Sequence, residues 1–351
     1  MCKHVFKIRA KPPCFEPGPP PGLRYDAMKV IIPVAGKGTR LYPHTHTLPK
    51  PLLPVAGKAI IEHILERLRQ VGPTQVVLVV NPDSERAILD HVASRFPWEI
   101  TAVAQEQPLG LGHAVHLAEP GPGPTLIVLG DTIIDAHLDK WIEQGDFIGV
   151  KEVDDPRRFG VVQLDHRGNV VSAVEKPEKP PTNLAIVGLY YLSRGEQLAE
   201  ALDRVIASGK KTKNEFQLTD ALGLMLAEGW RPAARIISGW HDCGKIDALL
   251  RSNSELLLKT RPEAPNIPGV RIIPPVFVDD SAQLESCEIG PGVSIMAGAV
   301  VRNCVLKNCI VSHNARLQNC RLHDSVIGRN AKVIGLEGSV SIGDHSVVEV
   351  I

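Results

Sequence analysis

The sequence predicts an α/β domain on a mixed, mainly parallel sheet over residues 28–262, followed by a linker and a short hexapeptide-repeat parallel β-helix over residues 263–351. Three observations predict it. From Met28 onward, short runs of Val, Ile and Leu alternate with stretches whose apolar residues recur every three or four positions. That is the rhythm of parallel strands joined by crossover helices. Next, Pro262, Pro265, Pro268, Pro274 and Pro275 interrupt the chain as a linker would. Beyond them an aliphatic residue returns every six positions with glycine and small residues between, the signature of a parallel β-helix.

The elements follow in order. A buried strand is predicted at 29–34, because Val30 to Val34 is short, apolar and β-branched. A helix at 59–70 places Ile60, Ile61, Ile64, Leu65 and Leu68 on one face and ends at Gly72-Pro73. Strands at 76–80 and 99–104 flank a helix at 84–95, whose Ile88, Leu89 and Val92 point inward. A helix at 111–118 leads to a strand at 125–129 that ends on Gly130-Asp131. The texture then changes to hairpin strands at 161–164, 170–174 and 184–192 with polar turns such as His166-Arg167-Gly168-Asn169. Helices at 196–207 and 216–228 and a strand at 234–238 complete the domain. In the C-terminal part, Ile289-Gly-Pro-Gly-Val-Ser, Ile295-Met-Ala-Gly-Ala-Val and Val301-Arg-Asn-Cys-Val-Leu stand in consecutive register. Three faces of about six residues per coil predict roughly four coils. Residues 1–27 hold six prolines and no apolar run of signal-peptide type. They are expected to be a disordered, extended tail, either dispensable or preceding a natural start at Met28.

Composition removes several function classes. Lys plus Arg and Asp plus Glu are 39 each, which is a poor endowment for a partner built of phosphate backbone. Aromatic residues are 4%, too few for recognition by base stacking. No apolar run reaches the ~18–20 residues of a bilayer span. The seven cysteines contain no Cys-x-x-Cys pair, so the expectation is a cytoplasmic protein without a disulfide framework or zinc ribbon. Cys287, Cys304, Cys309 and Cys320 in the repeat are read as a column of buried thiols rather than a metal site. His44 and His46 have no third ligand nearby in the sequence and read as a flexible loop.

The segment after the first strand carries the chemistry. In Gly36-Lys37-Gly38-Thr39-Arg40, two glycines allow close backbone approach and Arg40 offers a rigid fork for phosphate oxygens. It is neither a Walker A loop nor a Gly-x-Gly-x-x-Gly fingerprint, since Leu41 stands at the third glycine. Ten residues on, Pro49-Lys50-Pro51 holds a lysine in a stiff extended segment.

These residues carry a resemblance. Ala35-Gly-Lys-Gly-Thr-Arg40-Leu-Tyr-Pro, continuing to Pro49-Lys50-Pro51, resembles the opening motif of the sugar-1-phosphate nucleotidyltransferases, or nucleotide-sugar pyrophosphorylases. Gln105-Glu-Gln-Pro-Leu-Gly110, Gly130-Asp131, Phe159-Gly160, Glu175-Lys176-Pro177, Val187-Gly188 and Trp240-His-Asp242-Cys-Gly244 follow in the family's order. The resemblance, nearest to glucose-1-phosphate thymidylyltransferases, implies a Rossmann-like nucleotidyltransferase domain and a left-handed β-helix. It implies transfer of a nucleotidyl group from a pyrimidine NTP, dTTP before UTP, to a sugar 1-phosphate such as glucose 1-phosphate. Arg40, Lys50 and Lys176 would be catalytic. Ala35, Gly36, Gly38, Thr39, Gln105 and Gly110 would bind nucleotide, and Gln105 and Gly110 would read the base. Gly160, Glu175, Val187 and Gly188 would bind the sugar, and Asp131 and Asp242 would hold Mg²⁺. Lys213 stands where relatives often place another basic residue, and reads equally well as an exposed loop lysine. The remaining alternatives are a guanylyl- or adenylyltransferase, a non-catalytic regulatory subunit and a hexapeptide acyltransferase. A homo-oligomer without nucleic-acid or membrane partner is expected. No residue assigned to chemistry lies beyond Asp242, so a cut near Pro274 is expected to spare the catalytic groups.

Overall fold

The computed structural model describes residues 5–8, 28–93 and 95–350. They form two compact units that do not follow chain order. One contains the chain up to Gly36 and Ile64–Trp240; the other contains Lys37–His63 and His241–Ile351. The expected boundary at residue 262 is therefore not where compactness divides the chain. The phosphate-loop segment and the β-helix belong to the same unit.

The first unit is built on a ten-stranded sheet. Its main path runs Val5–Ile8, Glu99–Ala104, Gln75–Val80, Lys29–Pro33, Thr125–Val128, Leu184–Leu192, Gly160–Leu164 and Val170–Glu175. Lys29–Pro33 pairs in parallel with Gln75–Val80 on one side and Thr125–Val128 on the other, and Gln75–Val80 with Glu99–Ala104. The chain thus leaves the Lys29–Pro33 strand toward one edge and returns on the other side. At such a reversal, outside the carboxyl ends of the strands, open α/β sheets take their ligands. The predicted hairpins add antiparallel strands, with Leu184–Leu192 beside Thr125–Val128 and Gly160–Leu164 beside Val170–Glu175. Two further strands lie off the main path: Phe147–Glu152 beside Leu184–Leu192, and Ala233–Ile236 in parallel beside Phe147–Glu152. The core includes Ile31, Val77, Ile127, Ile148, Val162 and Leu202, and Ile64, Leu65, Leu68, Ile88, Leu89 and Val92 of the first two predicted helices are buried as their spacing assigns.

Val5–Ile8 corrects the expectation of a wholly disordered tail. It pairs antiparallel with Glu99–Ala104, whose outer row of N–H and C=O groups would otherwise be an open edge. Residues 1–4 and 9–27 of the expected tail lie outside the described residues.

In the second unit the short strands stack in parallel. Gln283 pairs with Val300, Val300 with Arg316, Arg316 with Lys332 and Lys332 with Val347, in steps of 17, 16, 16 and 15 residues. This is the β-helix, with five strands on that face rather than four and coils shorter than three full hexads. The shortening has a visible cause. Ser286, Asn303 and Asn319 take positive φ at one corner, so each coil turns there without a full flat face. Ile289, Ile295, Val301, Leu306, Leu317 and Leu322 fill the interior. Cys287, Cys304, Cys309 and Cys320 are free and buried, and the Cys320 amide donates to Cys304 Sγ at 3.4 Å. No cluster of three or more metal-ligating side chains occurs among the described residues.

A helix at Ile246–Thr260, absent from the sequence-based prediction, ties this unit together. Its Asn253 is fully buried. Oδ1 accepts from the Ala56 amide at 2.8 Å and the Ser294 hydroxyl at 2.6 Å, and Nδ2 donates to the Gly292 carbonyl at 3.0 Å. One side chain thus joins the 37–63 segment, the helix and the β-helix. A cut near Pro274 would remove two of its three partners. Among the described residues no helix is long and apolar enough to cross a membrane.

Candidate active site

In the first unit three groups of expected residues gather around the sheet. At the ends of neighbouring parallel strands, the Gly130 amide donates to the Pro33 carbonyl at 3.2 Å. A Cβ at Gly130 would stand 2.2 Å from Val34 Cγ1, so only glycine lets the Asp131 turn close against the strand that leads to Ala35 and Gly36. Open space surrounds the Cβ position of Gly36, as an approach site for a ligand requires. The Asp131 carboxylate accepts from the Thr132 hydroxyl at 3.2 Å. Beside it, the Leu129 amide donates to the Gly188 carbonyl at 2.9 Å. The regular pairing of Leu189 with Val128 sets Gly188 opposite Leu129, and on the strand's other side the register against Phe147–Glu152 shifts between Ile186 and Tyr190.

The second group is the expected base-reading loop. Gln105 is buried, and its amide nitrogen lies 3.1 Å from both the Gly110 carbonyl and His113 Nδ1. Burial, reinforced by nearby His116, lowers the His113 pKa, so the neutral ring serves as the acceptor. Both amide hydrogens are then spent inside the loop. That leaves Oε1 alone to face a base, and an amide oxygen suits an imide N–H. Gly110, at φ +109°, lies so close to the backbone of Phe216 that a Cβ would stand 2.7 Å from its carbonyl. Lys213 stands in the turn that leads to this backbone, where the Thr212 amide donates to the Glu215 carbonyl at 2.9 Å.

The third group is Gly160, Glu175 and Lys176. The Glu175 side chain is 10% exposed; Oε1 pairs with Lys176 Nζ at 3.2 Å and Oε2 accepts from the Thr219 hydroxyl at 2.8 Å. A Cβ at Gly160 would lie 3.2 Å from both Glu175 Oε2 and Thr219 Oγ1. Thr219, at the start of the Leu218–Ala227 helix, was not singled out in the sequence. Its signal was the run Glu215-Phe-Gln-Leu-Thr-Asp220, which carried no assigned role.

The second unit holds the rest. Thr39–Leu41 and Lys50–Leu52 are single 3₁₀ turns. Gly38 alone of the two loop glycines is left-handed, at φ +64°. Its missing Cβ leaves 3.1 Å to Thr45 Cγ2 and 3.2 Å to Lys50 Cβ, and Thr45 Oγ1 donates to its carbonyl at 2.8 Å. Thr39 and Arg40 are exposed and Lys50 is buried. Asp242 Oδ1 accepts from the Gly244 amide at 2.8 Å, and the Asp242 carbonyl accepts from Ser252 of the Ile246–Thr260 helix at 3.1 Å. A Cβ at Gly244 would stand 2.8 Å from Asp242 Oδ1 and 3.5 Å from Arg40 Nη2, so a guanidinium and a carboxylate flank one glycine. Gly244→Ala should therefore lower kcat about tenfold or more by displacing Asp242 while the melting temperature stays within a few degrees. Steady-state kinetics beside a thermal scan checks this, and wild-type kcat would contradict it. His44 and His46 do not form a flexible loop: His44 is buried and His46 stacks on Tyr42 with ring centroids 3.8 Å apart.

Sheet order, switch point and glycine-lined strand ends define an α/β protein of the ligand-at-the-strand-ends class. The family model described as nucleotidyl transferase matches residues 29–259. The chain belongs to the nucleotidyl transferase family. It is 34% identical over 241 residues to the low-salt glycan biosynthesis nucleotidyltransferase Agl11 of Haloferax volcanii, covering 66% of each chain. It is 28% identical over 359 residues to a glucose-1-phosphate thymidylyltransferase of Streptomyces griseus, covering 92% of this chain and 99% of that one. Among solved structures, a UDP-glucose pyrophosphorylase complexed with UDP-glucose superposes with a TM-score of 0.59 at 26% identity, covering 66% of this chain and 99% of that one.

Proposed function

We propose that this protein transfers a nucleotidyl group from dTTP or UTP to a sugar 1-phosphate, with glucose 1-phosphate favoured, and releases pyrophosphate. The observation that carries the reading is the Gly160–Glu175–Lys176–Thr219 group. A lysine there offers a point charge for a phosphate, beside a carboxylate held by Lys176 and Thr219 whose oxygens would accept from sugar hydroxyls. The single free acceptor of Gln105 supports a base with an imide N–H, as in thymine and uracil.

In this reading an oxygen of the sugar phosphate attacks the α-phosphorus of the NTP. A phosphorus–oxygen bond forms and the bond to the β-phosphate bridging oxygen breaks. The nucleophile is already anionic, so no general base is required. The task is to hold two polyanions in line and neutralise their charge. Lys176 orients the sugar phosphate, and Glu175 with the Gly160 and Val187-Gly188 backbone receives the sugar. Gln105 and Gly110 take the base, and the backbone from Ala35 to Thr39 lies along the phosphates. Arg40 and Lys50 bind the triphosphate, and Arg40 stabilises charge on the departing pyrophosphate. Asp131 and Asp242 would be the residues that hold Mg²⁺, since carboxylate oxygens are the donors this ion takes. Mg²⁺ bound there would neutralise phosphate charge. A cytoplasmic homo-oligomer is part of the same proposal.

The test crosses dTTP, UTP, GTP, CTP and ATP with the 1-phosphates of glucose, galactose, mannose and N-acetylglucosamine, and measures pyrophosphate. Release that needs both substrates and is greatest with dTTP or UTP is expected; a preference for GTP or ATP would overturn the base assignment. Lys176→Ala should raise KM for the sugar phosphate more than for the nucleotide, whereas Arg40→Ala should act mainly on kcat. Equal effects of both changes on both substrates would refute that division.

A further inference from the structure

Between Arg40 and Lys50 the chain makes a turn whose far side rests on the end of the β-helix, inside the second compact unit. His44 is 2% exposed, and its Nε2 shares a 2.9 Å hydrogen bond with the Ser341 hydroxyl. The Thr47 hydroxyl donates to Asp344 Oδ2 at 2.7 Å, and Arg329 Nη2 reaches the Thr47 carbonyl at 3.4 Å. A Cβ at Gly343 would stand 3.0 Å from Pro43 Cβ, so this glycine lets the coil close onto the turn.

The β-helix side of the contact is itself held. Asp344 accepts from the Arg329 amide at 2.6 Å and from Arg329 Nε at 2.7 Å. Burial alone would raise its carboxyl pKa, but the Thr47 hydroxyl and Arg329 outweigh burial and bring it below the ordinary range. It therefore stays an anionic acceptor. Burial lowers the His44 pKa against the pull of Asp344, so the ring is neutral at pH 7.

The turn passes this support to the expected phosphate groups. Thr45, next to His44, donates to the Gly38 carbonyl, and Gly38 packs against both Thr45 and Lys50 Cβ. Arg40 lies on a three-residue 3₁₀ turn that starts from Gly38. Such a short element has little order of its own. Catalysis by charge neutralisation requires donors fixed before the substrate arrives, because a displacement of about 1 Å is costly.

We propose that the end of the β-helix positions the phosphate-binding turn, with Arg329, Ser341, Gly343 and Asp344 acting through His44 and Thr47 on Arg40 and Lys50. This rests on the reading that Arg40 and Lys50 bind the triphosphate. The four residues touch no substrate; they are positioning residues supplied by a domain with no catalytic side chain of its own.

The test is the double variant Thr47→Val, Ser341→Ala in the full chain, which removes both hydroxyls with little change of shape. The Leu41 and His46 amides bond to the Gly38 and Pro43 carbonyls at 2.8 and 3.2 Å and report on the turn by hydrogen exchange. Their exchange should quicken about tenfold, and kcat/KM for the nucleotide should fall about tenfold, through kcat at Arg40 and KM at Lys50, with KM for the sugar phosphate within about twofold. A second double variant, Thr47→Ser with Ser341→Ala, keeps a hydroxyl donor to Asp344 and should recover most of the loss. Unchanged exchange, or faster exchange with wild-type nucleotide kinetics, would overturn the proposal. So would an equal rise in both KM values with a lower melting temperature, or no recovery with serine, since either marks a merely structural contact. Arg40→Ala run in parallel separates the two claims: wild-type nucleotide kinetics there would overturn the phosphate reading itself.

Discussion

Asp131→Asn and Asp242→Asn are each expected to lower turnover by a factor on the order of 10² or more while leaving the fold intact. Each change exchanges an anionic oxygen donor for a neutral amide of the same size. The Asp242 case is the cleaner one. The Gly244 amide donates to its Oδ1, an acceptor that asparagine retains, and the Asp242 carbonyl keeps its bond from Ser252. What is lost is negative charge beside Arg40, so Mg²⁺ should be held less tightly and phosphate charge left less neutralised. Turnover measured across a Mg²⁺ titration checks this. The half-saturating concentration should rise in both variants, and a near wild-type rate at subsaturating Mg²⁺ would show that the carboxylate in question is not a ligand.

Asn253→Ala should destabilise the second unit by about 3 kcal/mol or more. It strands the Ala56 amide, the Ser294 hydroxyl and the Gly292 carbonyl, each a partner of Asn253, and an unpaired buried polar group costs ~1–3 kcal/mol. Because Asn253 joins the 37–63 segment to the β-helix, hydrogen exchange should quicken at Ala56 and in the Val293–Ile295 strand together. A loss below about 1 kcal/mol by chemical denaturation would mean that the unit does not depend on this junction.

The parallel strands and their helices were legible because their signal is local. Val30–Ile32 and Val76–Val80 are buried runs, and the helix predicted at 59–70 appears as Ile60–Arg67 extended by a 3₁₀ turn. The Ile246–Thr260 helix was missed because its buried face mixes Ser252 and Asn253 with Leu249, Leu250, Leu256 and Leu257, which blurs the apolar period. The coil length was overestimated because hexads in register say nothing of corners that turn on a left-handed residue. The grouping of Glu175, Lys176 and Gly160 follows from motifs near in sequence. Thr219 and the spent amide of Gln105 do not, since both depend on which neighbours the fold supplies. The support of the 43–47 turn was invisible for the same reason at longer range: His44 and Ser341 are 297 residues apart.

The central claim is transfer of a nucleotidyl group, and isotope position tests it most directly. The protein is given a sugar 1-phosphate, Mg²⁺ and its preferred NTP, labelled at either the α- or the γ-phosphorus, and the products are separated. The proposal predicts the α label in the nucleotide sugar, the γ label in pyrophosphate, and neither product when the sugar phosphate is omitted. A γ label in a phosphorylated sugar, or no transfer from any NTP, would contradict it.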